Sequence, residues 1–161
     1  MFRPMRRKRQ QLTDEETAAI FRKGTSGVLA LSGDDDYPYA VPISYVYSDG
    51  KIYFHGAKKG HKPDSIRRSP KASFCVIDQD NVVKEEYTTY FRSAIAFGKI
   101  REVQGDEILQ GLEFIGKRYF PEDDPANLQK AITRELPASC VFCLEIEHMT
   151  GKESIELRNA K

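Results

Sequence analysis

The sequence has no tryptophan, only three cysteines and almost no net charge. Its 25 Lys and Arg residues are balanced by 24 Asp and Glu residues, so the formal net charge of +1 gives no global attraction to nucleic acid or to an anionic membrane. No apolar run approaches the roughly 20 residues that span a bilayer, and the charged N-terminus lacks the apolar stretch of a secretory signal. We therefore expect a cytoplasmic protein with no membrane contact, in which electrostatic specificity is local.

The three cysteines, Cys75, Cys140 and Cys143, are an odd number, which is typical of reduced thiols in a chain that folds without disulfides. Cys140 and Cys143 form a C-x-x-C pair, but the apolar residues around them predict a buried strand, where positions three apart point to opposite faces. Redox pairs of this spacing usually lie at a helix N-terminus. The three histidines add no recognisable metal-ligand spacing, so we predict packing roles and no metal site.

Several catalytic signatures are also absent. The chain has no G-x-S-x-G, no H-E-x-x-H, no Walker loop and no G-x-G-x-x-G, which leaves nucleophilic, zinc and P-loop mechanisms without support. Asp34, Asp35 and Asp36 fall together in a predicted turn, where solvation explains them better than acid and base roles. If the protein is an enzyme, we expect a cofactor to supply the reactivity.

What the chain does contain is a strong β pattern. Its 161 residues are 40% hydrophobic, with eight Tyr and nine Phe, enough for the core of the single domain that we predict over 1–161. Strands are predicted over 27–32, 39–47, 52–55, 72–78, 88–103 and 139–147, and helices over 14–22, from Pro63 to before Pro70, 106–119 and 126–134. This order predicts a mainly β fold with peripheral helices, an antiparallel barrel or sandwich of six strands. The basic N-terminal arm (1–11) and the polar tail (151–161) lie outside these elements, and we expect the tail to be loosely held.

Three local signals are especially clear. Thr13 and Glu16 have the spacing of a capping box at the start of the first helix. Asp49-Gly50 is the strongest hairpin signal and joins the second strand to the third. Gly98, inside the long fifth strand, predicts a bulge or a close approach of another backbone.

The most informative stretch runs from Val41 to Lys62 and reads VPISYVYSDGKIYFHGAKKGHK. Its first strand contains Pro42, which lacks the N–H that a sheet ladder needs. The strand is therefore bulged, at an edge, or facing something other than a strand, such as a bound ligand.

A basic loop closes this stretch. Its cations are Lys58, Lys59, His61 and Lys62, followed by Arg67 and Arg68 one helical turn further on. Gly56 and Gly60 let the backbone bend close to a ligand, and the helix predicted to begin at Pro63 offers unpaired N–H groups and the positive end of its dipole. We interpret the loop as a phosphate site; the alternative is a solvated Lys-rich loop, and Asp64 offsets part of the positive charge.

The motifs, taken in order, resemble a known family. They are GVLAL, P-Y-x-V-P-I-S-Y-V-Y, D-G-K-I-Y-F-H, A-K-K-G-H-K, I-R-R-S-P-K, Y-x-x-x-F-R-S-A-I-A-F-G-K-I and the closing C-L-E-I-E-H-M-T-G-K. Together they resemble the FMN-binding split-barrel proteins related to pyridoxamine 5'-phosphate oxidase, and within these the nitroimidazole-reductase-like branch. The similarity extends from about Met5 to Lys152, and the order of several motifs makes it more specific than any one of them.

The resemblance implies a six-stranded split β-barrel that forms a homodimer, with FMN in a cleft where the two subunits meet. It places Pro42, Ile43, Ser44 and Tyr45 along the flavin ring, His55, Gly56 and Ala57 beside the ribityl chain, His61 and Lys62 at the phosphate, and Arg92 and Ser93 as further candidates in the same cleft. A histidine of this loop lies near the reactive face of the flavin in the nitroimidazole-reductase-like branch, so His61 is also the candidate catalytic residue. The competing interpretations are a structural role for His55 and core or interface roles for Tyr45 and Tyr47.

The resemblance also has a limit. The true pyridoxamine phosphate oxidases carry a C-terminal substrate motif that contains tryptophan and arginine, and this sequence has no tryptophan. We therefore do not expect that specific reaction.

Three functions remain open. The leading hypothesis is an FMN-dependent oxidoreductase that reduces a small oxidised organic acceptor with electrons from a nicotinamide donor. The alternative is a non-catalytic module that binds flavin or haem, with His55, His61 or His148 as candidate axial ligands. A nucleic-acid-binding role, suggested by the run from Arg6 to Arg9, lacks interleaved aromatic residues, and we predict no nucleic-acid partner. A phosphate site without a dinucleotide fingerprint favours FMN over FAD. The sequence does not distinguish FMN from a deazaflavin.

Overall fold

The computed structural model describes residues 1–160, and strands and helices account for most of them. The strands are β1 (Ser26–Ser32), β2 (Pro38–Ser44), β3 (Val46–Ser48), β4 (Lys51–Ala57), β5 (Lys71–Val83), β6 (Thr88–Glu102) and β7 (Ser139–Glu153). The helices are α1 (Asp14–Lys23), α2 (His61–Arg68), α3 (Asp106–Tyr119), α4 (Pro125–Glu135) and α5 (Ile155–Asn159), and short 3₁₀ turns cover Lys8–Gln10, Asp34–Asp36 and Lys84–Glu86. All strand pairs are antiparallel, in the order β2-β1-β5-β6-β7-β4-β3. The prediction of a mainly β, antiparallel fold is confirmed.

The strand count differs from the predicted six because the strand expected over 39–47 is interrupted at Tyr45. The Tyr45 ring packs edge-on against Phe74, and its hydroxyl donates to the carbonyl oxygen of Phe21 at 2.7 Å. This inward turn sends β2 to pair with β1 and β3 to pair with β4. The two outermost strands of the sheet are thus joined by one residue, and that joint brings the ends of the sheet together as a split barrel.

The barrel interior is filled by one large apolar cluster. Its fully buried members include Leu29, Tyr45, Ile52, Phe54, Phe74, Phe142 and Leu144. Helix α1 adds Ile20 and Phe21 to this cluster, and helix α2 adds Ile66. These helices lie at opposite ends of the barrel, because α1 contacts the chain at Tyr45 whereas α2 contacts β2 at Tyr39, about 20 Å away at the usual strand rise.

A second apolar cluster lies outside the barrel, beneath α3 and α4. It contains Val46, Tyr53, Val103, Leu112, Ile132, Val141 and Cys143. Cys140 belongs to the interior cluster and Cys143 to this outer one, so the prediction that the two cysteines face opposite sides of their strand is confirmed. Burial raises the pKa of both thiols.

The three local signals are all confirmed. Thr13 and Glu16 form a complete capping box at the start of α1. Asp49 and Gly50 both have positive φ, 51° and 75°, as a tight hairpin turn requires. At Gly98 the register of β6 against β7 shifts, and an added Cβ would lie 1.9 Å from the carbonyl oxygen of Glu145, so the glycine serves both a bulge and a close backbone approach.

Two expectations are corrected. Helix α2 begins at His61 rather than Pro63, because Gly60, at a φ of 119°, turns the chain into the helix two residues earlier. Pro63 still lies in the first turn, where a missing N–H breaks no helical hydrogen bond. Over its described residues, 151–160, the C-terminal tail is not loosely held, since β7 continues to Glu153, which is fully buried, and α5 follows; Lys161 lies outside the described residues. Among the described residues, no helix combines the length and apolar character needed to cross a membrane.

Candidate functional site

The barrel opens where β2 and β4 separate. Next to Tyr45 the chain pairs β3 with the first half of β4, from Lys51 to Tyr53, but β2 turns away to pair with β1. Beyond that point β2 and the second half of β4, residues 54–57, each have an edge with no neighbouring strand among residues 1–160. We call the gap between these two open edges the split. The first turn of α2 lies beside it, because His61 contacts β2 and Lys62 contacts β4.

Two hydrogen bonds next to β2 fix which of its backbone groups face the split. The amide of Tyr45 donates to the carbonyl of Thr25 at 3.2 Å, and the amide of Gly33 donates to Tyr37 at 2.8 Å. Because hydrogen-bonded pairs alternate along antiparallel strands, odd-numbered residues of β2 bond to β1 and even-numbered residues point their backbone groups into the split. The even-numbered residues are Pro38, Ala40, Pro42 and Ser44. The interpretation of Pro42 as an edge residue is confirmed, and its missing N–H breaks no ladder bond.

The open edge of β4 follows from the same alternation. Ser48 and Lys51 flank the two-residue hairpin loop and form a hydrogen-bonded pair. Counting along β4, the backbone groups of His55 and Ala57 therefore face the split, whereas those of Phe54 and Gly56 face β7. The split is thus lined on both sides by backbone donors and acceptors that no strand uses.

Lys62 provides a half-buried positive charge at the β4 side of the split. Its Nζ lies over the Phe54 ring, 5.4 Å from the centroid. An added Cβ on Gly56 would lie 3.2 Å from this Nζ, so the glycine leaves room for the ammonium group. Burial lowers the pKa of Lys62, and no carboxylate among residues 1–160 pairs with it. A buried cation of this kind favours an anionic ligand.

His61 lies at the β2 side of the split. Its ring stacks on Tyr39, with centroids 3.9 Å apart and planes at 16°, and its Nε2 is 3.7 Å from Oδ2 of Asp34. Asp34 also accepts a 2.8 Å hydrogen bond from Arg68, which lowers the pKa of the carboxyl group. Sequence reasoning missed Tyr39 as a site residue and interpreted Asp34 as solvated. No local signal marks Asp34, because its contacts with α2 exist only in the folded barrel.

The remaining cations of the basic segment divide into two groups. Lys58 donates to the carbonyl of Pro137 at 2.6 Å, Arg67 pairs with Glu102 at 2.8 Å, and Arg68 is bound to Asp34 and to the carbonyl of Ser32. Arg67 and Arg68 hold α2 against the barrel, and Lys58 connects the loop before α2 to the segment after α4. Within residues 1–160, none of the three lysines of the segment has an ion pair; Lys58 is bound to a carbonyl oxygen, Lys59 is exposed and Lys62 is half-buried.

Tyr45 and Ile43 face the core and not the split of their own subunit. Tyr45 is fully buried, and Tyr119 bonds to its amide and to its carbonyl, each at 2.9 Å. Its hydroxyl is bound to Phe21, so the polar groups of Tyr45 all have partners within the protein, which supports the core interpretation. Ile43 packs its side chain against the interior cluster and is an odd-numbered residue of β2, so neither its side chain nor its backbone faces the split.

Arg92 and Ser93 also lie away from the split of their own subunit. Nε of Arg92 donates to Glu153 at 3.0 Å, and Nη1 donates to Asp78 at 3.3 Å. Arg92 is ten residues along β6 from Glu102, which contacts α2, or about 30 Å at the usual rise. The structure therefore assigns Arg92 to the α1 end of the barrel, away from His61 and Lys62 of its own subunit, and its predicted place in a cleft between two subunits stays a prediction.

The other predicted residues do meet. Pro42, Ser44, Gly56, Ala57, His61 and Lys62 surround the split, with the backbone of His55. The His55 side chain points elsewhere, into a cavity of about 320 Å³ beneath α3 and α4 that Leu112, Ile115 and Phe120 also line.

An exposed apolar surface begins at the β2 edge and crosses the sheet. Pro42, Val28, Cys75 and Ile95 are in register across β2, β1, β5 and β6. Ile77 and Phe97 extend this row, and we call the surface of these six residues the outer face; four of its side chains, Val28, Ile77, Ile95 and Phe97, are 38–68% exposed. The N-terminal arm reaches its border, where Phe2 stacks on His148 and contacts Phe97.

The donor set of the split fits a flat ligand that carries a phosphate. The cation Lys62, the room left by Gly56 and the unpaired amides of the first α2 turn suit an anion. The backbone groups of Ala40 and Ser44 suit the polar edge of a ring. Within residues 1–160, no group of three or more His, Cys, Asp or Glu side chains has the arrangement of a metal site.

Comparisons with known proteins give a matching family model and structures with the same fold. The family model for pyridoxamine 5'-phosphate oxidase matches residues 13–153. The uncharacterized protein RA0666 of Rhizobium meliloti (strain 1021) is 27% identical over 150 residues, which cover 88% of this chain and 92% of that protein.

Solved structures share the fold. A protein proposed to confer 5-nitroimidazole antibiotic resistance in Bacteroides thetaiotaomicron superposes with a TM-score of 0.74 at 19% identity, covering 89% of this chain and 86% of its own. The conserved hypothetical protein Rv2991 of Mycobacterium tuberculosis superposes with a TM-score of 0.79 at 18% sequence identity, and the match covers 93% of this chain and 90% of that one. The FAD and heme binding protein of Mycobacterium smegmatis superposes with a TM-score of 0.73 at 22% sequence identity, and the match covers 90% of this chain and 73% of that one.

Proposed function

The chain belongs to the pyridoxamine 5'-phosphate oxidase family, and from this premise we propose that it is a flavin-dependent oxidoreductase that holds FMN in the split. When bound, FMN supplies the redox chemistry: it takes up electrons from a nicotinamide donor and passes them to a small oxidised organic acceptor. One observation carries the proposal. Lys62 is a half-buried cation with no carboxylate partner among residues 1–160, beside a helix N-terminus and an open strand edge.

The phosphate site consists of Lys62 and the first turn of α2. The amide of Asp64 already bonds to the carbonyl of Gly60, and Pro63 has none, so the amides of His61 and Lys62 remain for an anion. A phosphate there gains a charge-assisted hydrogen bond from the ammonium group. Gly56 and Ala57, on the neighbouring β4 edge, would accompany the ribityl chain.

The ring would lie along β2. Pro42 presents an apolar surface without an N–H, and the amides of Ala40 and Ser44 offer donors toward the split. The family model that matches the chain is named for pyridoxamine 5'-phosphate oxidase. The chain has no tryptophan, and we propose an acceptor other than pyridoxamine phosphate.

FAD is the alternative flavin, since one structural neighbour binds FAD and heme. A single lysine and a single helix N-terminus suit one phosphate, which favours the mononucleotide. Haem binding without catalysis is the second candidate.

We further propose that a second copy of the chain covers the outer face. The face is apolar, exposed and continuous with the β2 edge of the split, so a homodimer would bury it and close the split from that side. Cys75 reports on this contact, because it is half-exposed on the outer face whereas Cys140 and Cys143 are buried.

The dimer is tested by sedimentation together with thiol labelling. We expect a dimer in which Cys75 reacts slowly, and an Ile95→Lys variant that is monomeric and reacts quickly. A wild-type protein that is monomeric at micromolar concentration, with Cys75 readily labelled, would refute the dimer.

The flavin proposal is tested by the absorbance spectrum of the purified protein. We expect a yellow protein that releases FMN on denaturation and is bleached anaerobically by a reduced nicotinamide. Colourless protein that takes up no added FMN would refute flavin binding, and bound flavin that neither a nicotinamide nor dithionite reduces would refute the oxidoreductase. A haem spectrum would favour the second candidate.

A further inference from the structure

The cavity of about 320 Å³ outside the barrel lies between β4 and the two helices that cover it. Helix α3 lines it with Leu112, Ile115 and Phe120, and helix α4 lines it with Leu128 and Ile132. Protein interiors are packed so closely that few voids exceed the size of a water molecule, whereas ligand pockets have volumes from about 300 Å³ upward. A space of this size, with mostly apolar walls, fits a small molecule.

Helix α4 is held near both of its ends and bridges the cavity without filling it. In its first half Leu128 packs so closely on Gly116 of α3 that an added Cβ on the glycine would collide with it. Just after the helix, the carbonyl of Pro137 accepts a 2.6 Å hydrogen bond from Lys58. Between these two contacts α4 has one buried residue, Ile132. The cavity is therefore a product of how α4 is anchored.

His55 adds a polar side chain to these apolar walls. Its ring has no hydrogen bond, ion pair or ring contact with any residue of 1–160, whereas the rings of His61 and His148 are stacked on aromatic neighbours. The ring nitrogens of His55 therefore remain for a ligand of the cavity. Because the backbone of His55 faces the split, molecules in the cavity and in the split would lie on two sides of the same residue.

The charges at the mouth of the cavity disfavour an anion. Arg134 is paired with Glu135 at 3.3 Å, so its positive charge is already compensated. Asp123, the third charged residue at the mouth, accepts hydrogen bonds only from neutral donors of the neighbouring turn within residues 1–160. The mouth thus has an excess of one negative charge, the opposite of the cationic split beside Lys62.

We propose that this cavity is a second small-molecule site, which takes an apolar ligand that is uncharged or positively charged. The side chains of α3 and α4 contact its apolar body, which has the size of one or two fused rings. A polar group of the ligand binds the His55 ring or lies at the mouth beside Asp123. None of these contacts uses the split, so the site does not depend on bound flavin.

The three histidines report on three different surfaces: His55 on the cavity, His61 on the split and His148 on the border of the outer face. Their ring signals in an NMR spectrum of the full chain are assigned with His55→Gln, His61→Asn and His148→Gln. The probe is 2-naphthylmethylamine, an ammonium ion at neutral pH. We expect it to shift the His55 signals with a dissociation constant of about 1 mM or below, and to leave those of His61 and His148 in place.

The charge preference is measured with 2-naphthoate, which has the same two rings and the opposite charge. We expect it to bind at His55 about fivefold more weakly than the amine, because its carboxylate meets the negative mouth. The difference should shrink at a salt concentration of about 1 M, which screens exposed charges.

A variant that fills the cavity tests its location. Ala131 lines the cavity from α4, so Ala131→Phe should weaken binding of the amine by about tenfold or more. Ala126→Phe is the matched control, since Ala126 is an exposed residue of the same helix outside the cavity, and binding should stay within about twofold of wild type. Unchanged His61 and His148 signals show that a variant is folded, and Ala131→Leu, a smaller addition, should give a smaller loss.

Several results would overturn the site. His55 signals that do not move, or a probe that shifts His61 or His148 in their place, would show that the cavity takes no ligand of this class. Equal binding by Ala131→Phe and wild type would place the probe elsewhere, and tighter binding of 2-naphthoate than of the amine at His55 would refute the ligand class. A protein that binds the amine at His55 but takes up no flavin would refute the proposed function and leave this site intact.

Discussion

The two ends of the barrel differ in whether their buried or half-buried charged side chains have ion-pair partners. At the α1 end, the buried Glu153 accepts hydrogen bonds from Arg92 and Arg158, and Asp78 pairs with Arg92 and with Lys23 at 2.7 Å. At the α2 end, Lys62 is half-buried without a carboxylate partner among residues 1–160. A charge paired inside the protein holds elements together, whereas an unpaired charge in a half-buried position is unfavourable unless a ligand neutralises it. The comparison therefore indicates a structural role for the charges of the α1 end and supports the ligand binding that we propose at the α2 end.

The largest expected effect is at the α1 end. Glu153→Ala leaves two arginines beside a fully buried position, so we expect it to lower the free energy of unfolding by about 3 kcal/mol. Urea unfolding measures the loss. The matched control on the same strand is Glu145→Ala, whose pair with Arg101 is exposed, and it should change stability by no more than about 0.5 kcal/mol. A Glu153→Ala variant as stable as its control would contradict the structural role of the α1 end. A folded Glu153→Ala variant that no longer binds FMN would contradict the restriction of binding to the α2 end.

The second prediction concerns the α2 end. Lys62→Ala should weaken FMN binding by roughly 1.5 to 3 kcal/mol, through the loss of a charge-assisted hydrogen bond, while the stability of the apoprotein stays the same or rises. Quenching of flavin fluorescence measures the affinity. Riboflavin, which has no phosphate, should bind wild type and Lys62→Ala equally well. An equal loss for riboflavin would mean that Lys62 acts on the barrel and not on the phosphate.

The third prediction is a pH dependence. Because burial lowers the pKa of Lys62, its charge is lost at a lower pH than that of an ordinary lysine. FMN affinity should therefore decline as pH rises through that pKa, by up to about tenfold, and the decline should begin while exposed lysines remain charged. Riboflavin measured in parallel accounts for ionisation of the flavin ring itself. Lys62→Arg keeps its charge throughout and should flatten the curve; a decline that persists in this variant would point to another group.

The smallest expected effect is steric. In Gly56→Ala the new methyl group would lie 3.2 Å from Nζ and 3.3 Å from Cε of Lys62, and the flexible end of the lysine can move away. We expect little change in unfolding free energy and a fall in FMN affinity of about threefold, less than 1 kcal/mol. A double-mutant cycle checks the cause, since Gly56→Ala should have no further effect in the Lys62→Ala background. An effect that persists there would arise from the β4 edge itself.

Local signals explain what could be predicted from the sequence. The capping box, the Asp49-Gly50 hairpin and the bulge at Gly98 each depend on a few neighbouring residues, and all three are present. The interruption at Tyr45 could not be predicted in this way. Its aromatic ring continues the apolar strand pattern, and only its contact with Phe21, on another element, turns it inward.

The same distinction applies to the site. Lys62, His61 and the β2 edge follow from a continuous stretch of sequence. The ion pairs of Asp34 and Arg92 could not be predicted, because the partners that form them are distant in sequence. Arg68 and Glu153 become their neighbours only when the strands pair. Which arginine has a partner is a property of the fold, and no motif reports it.

The joint at Tyr45 has a consequence for the order in which the barrel assembles. Strands β1 and β2, like β3 and β4, are joined by short turns, so each hairpin can form early from its own neighbours. The pairing of β4 with β7 connects residues on the order of ninety positions apart, such as Lys51 and Glu145, and has the largest entropy of loop closure. The pairing of β4 with β7 is what fixes β4 opposite β2. A ligand between them therefore recognises the completed barrel and no partly folded form, and its binding energy adds in full to the global stability of the protein.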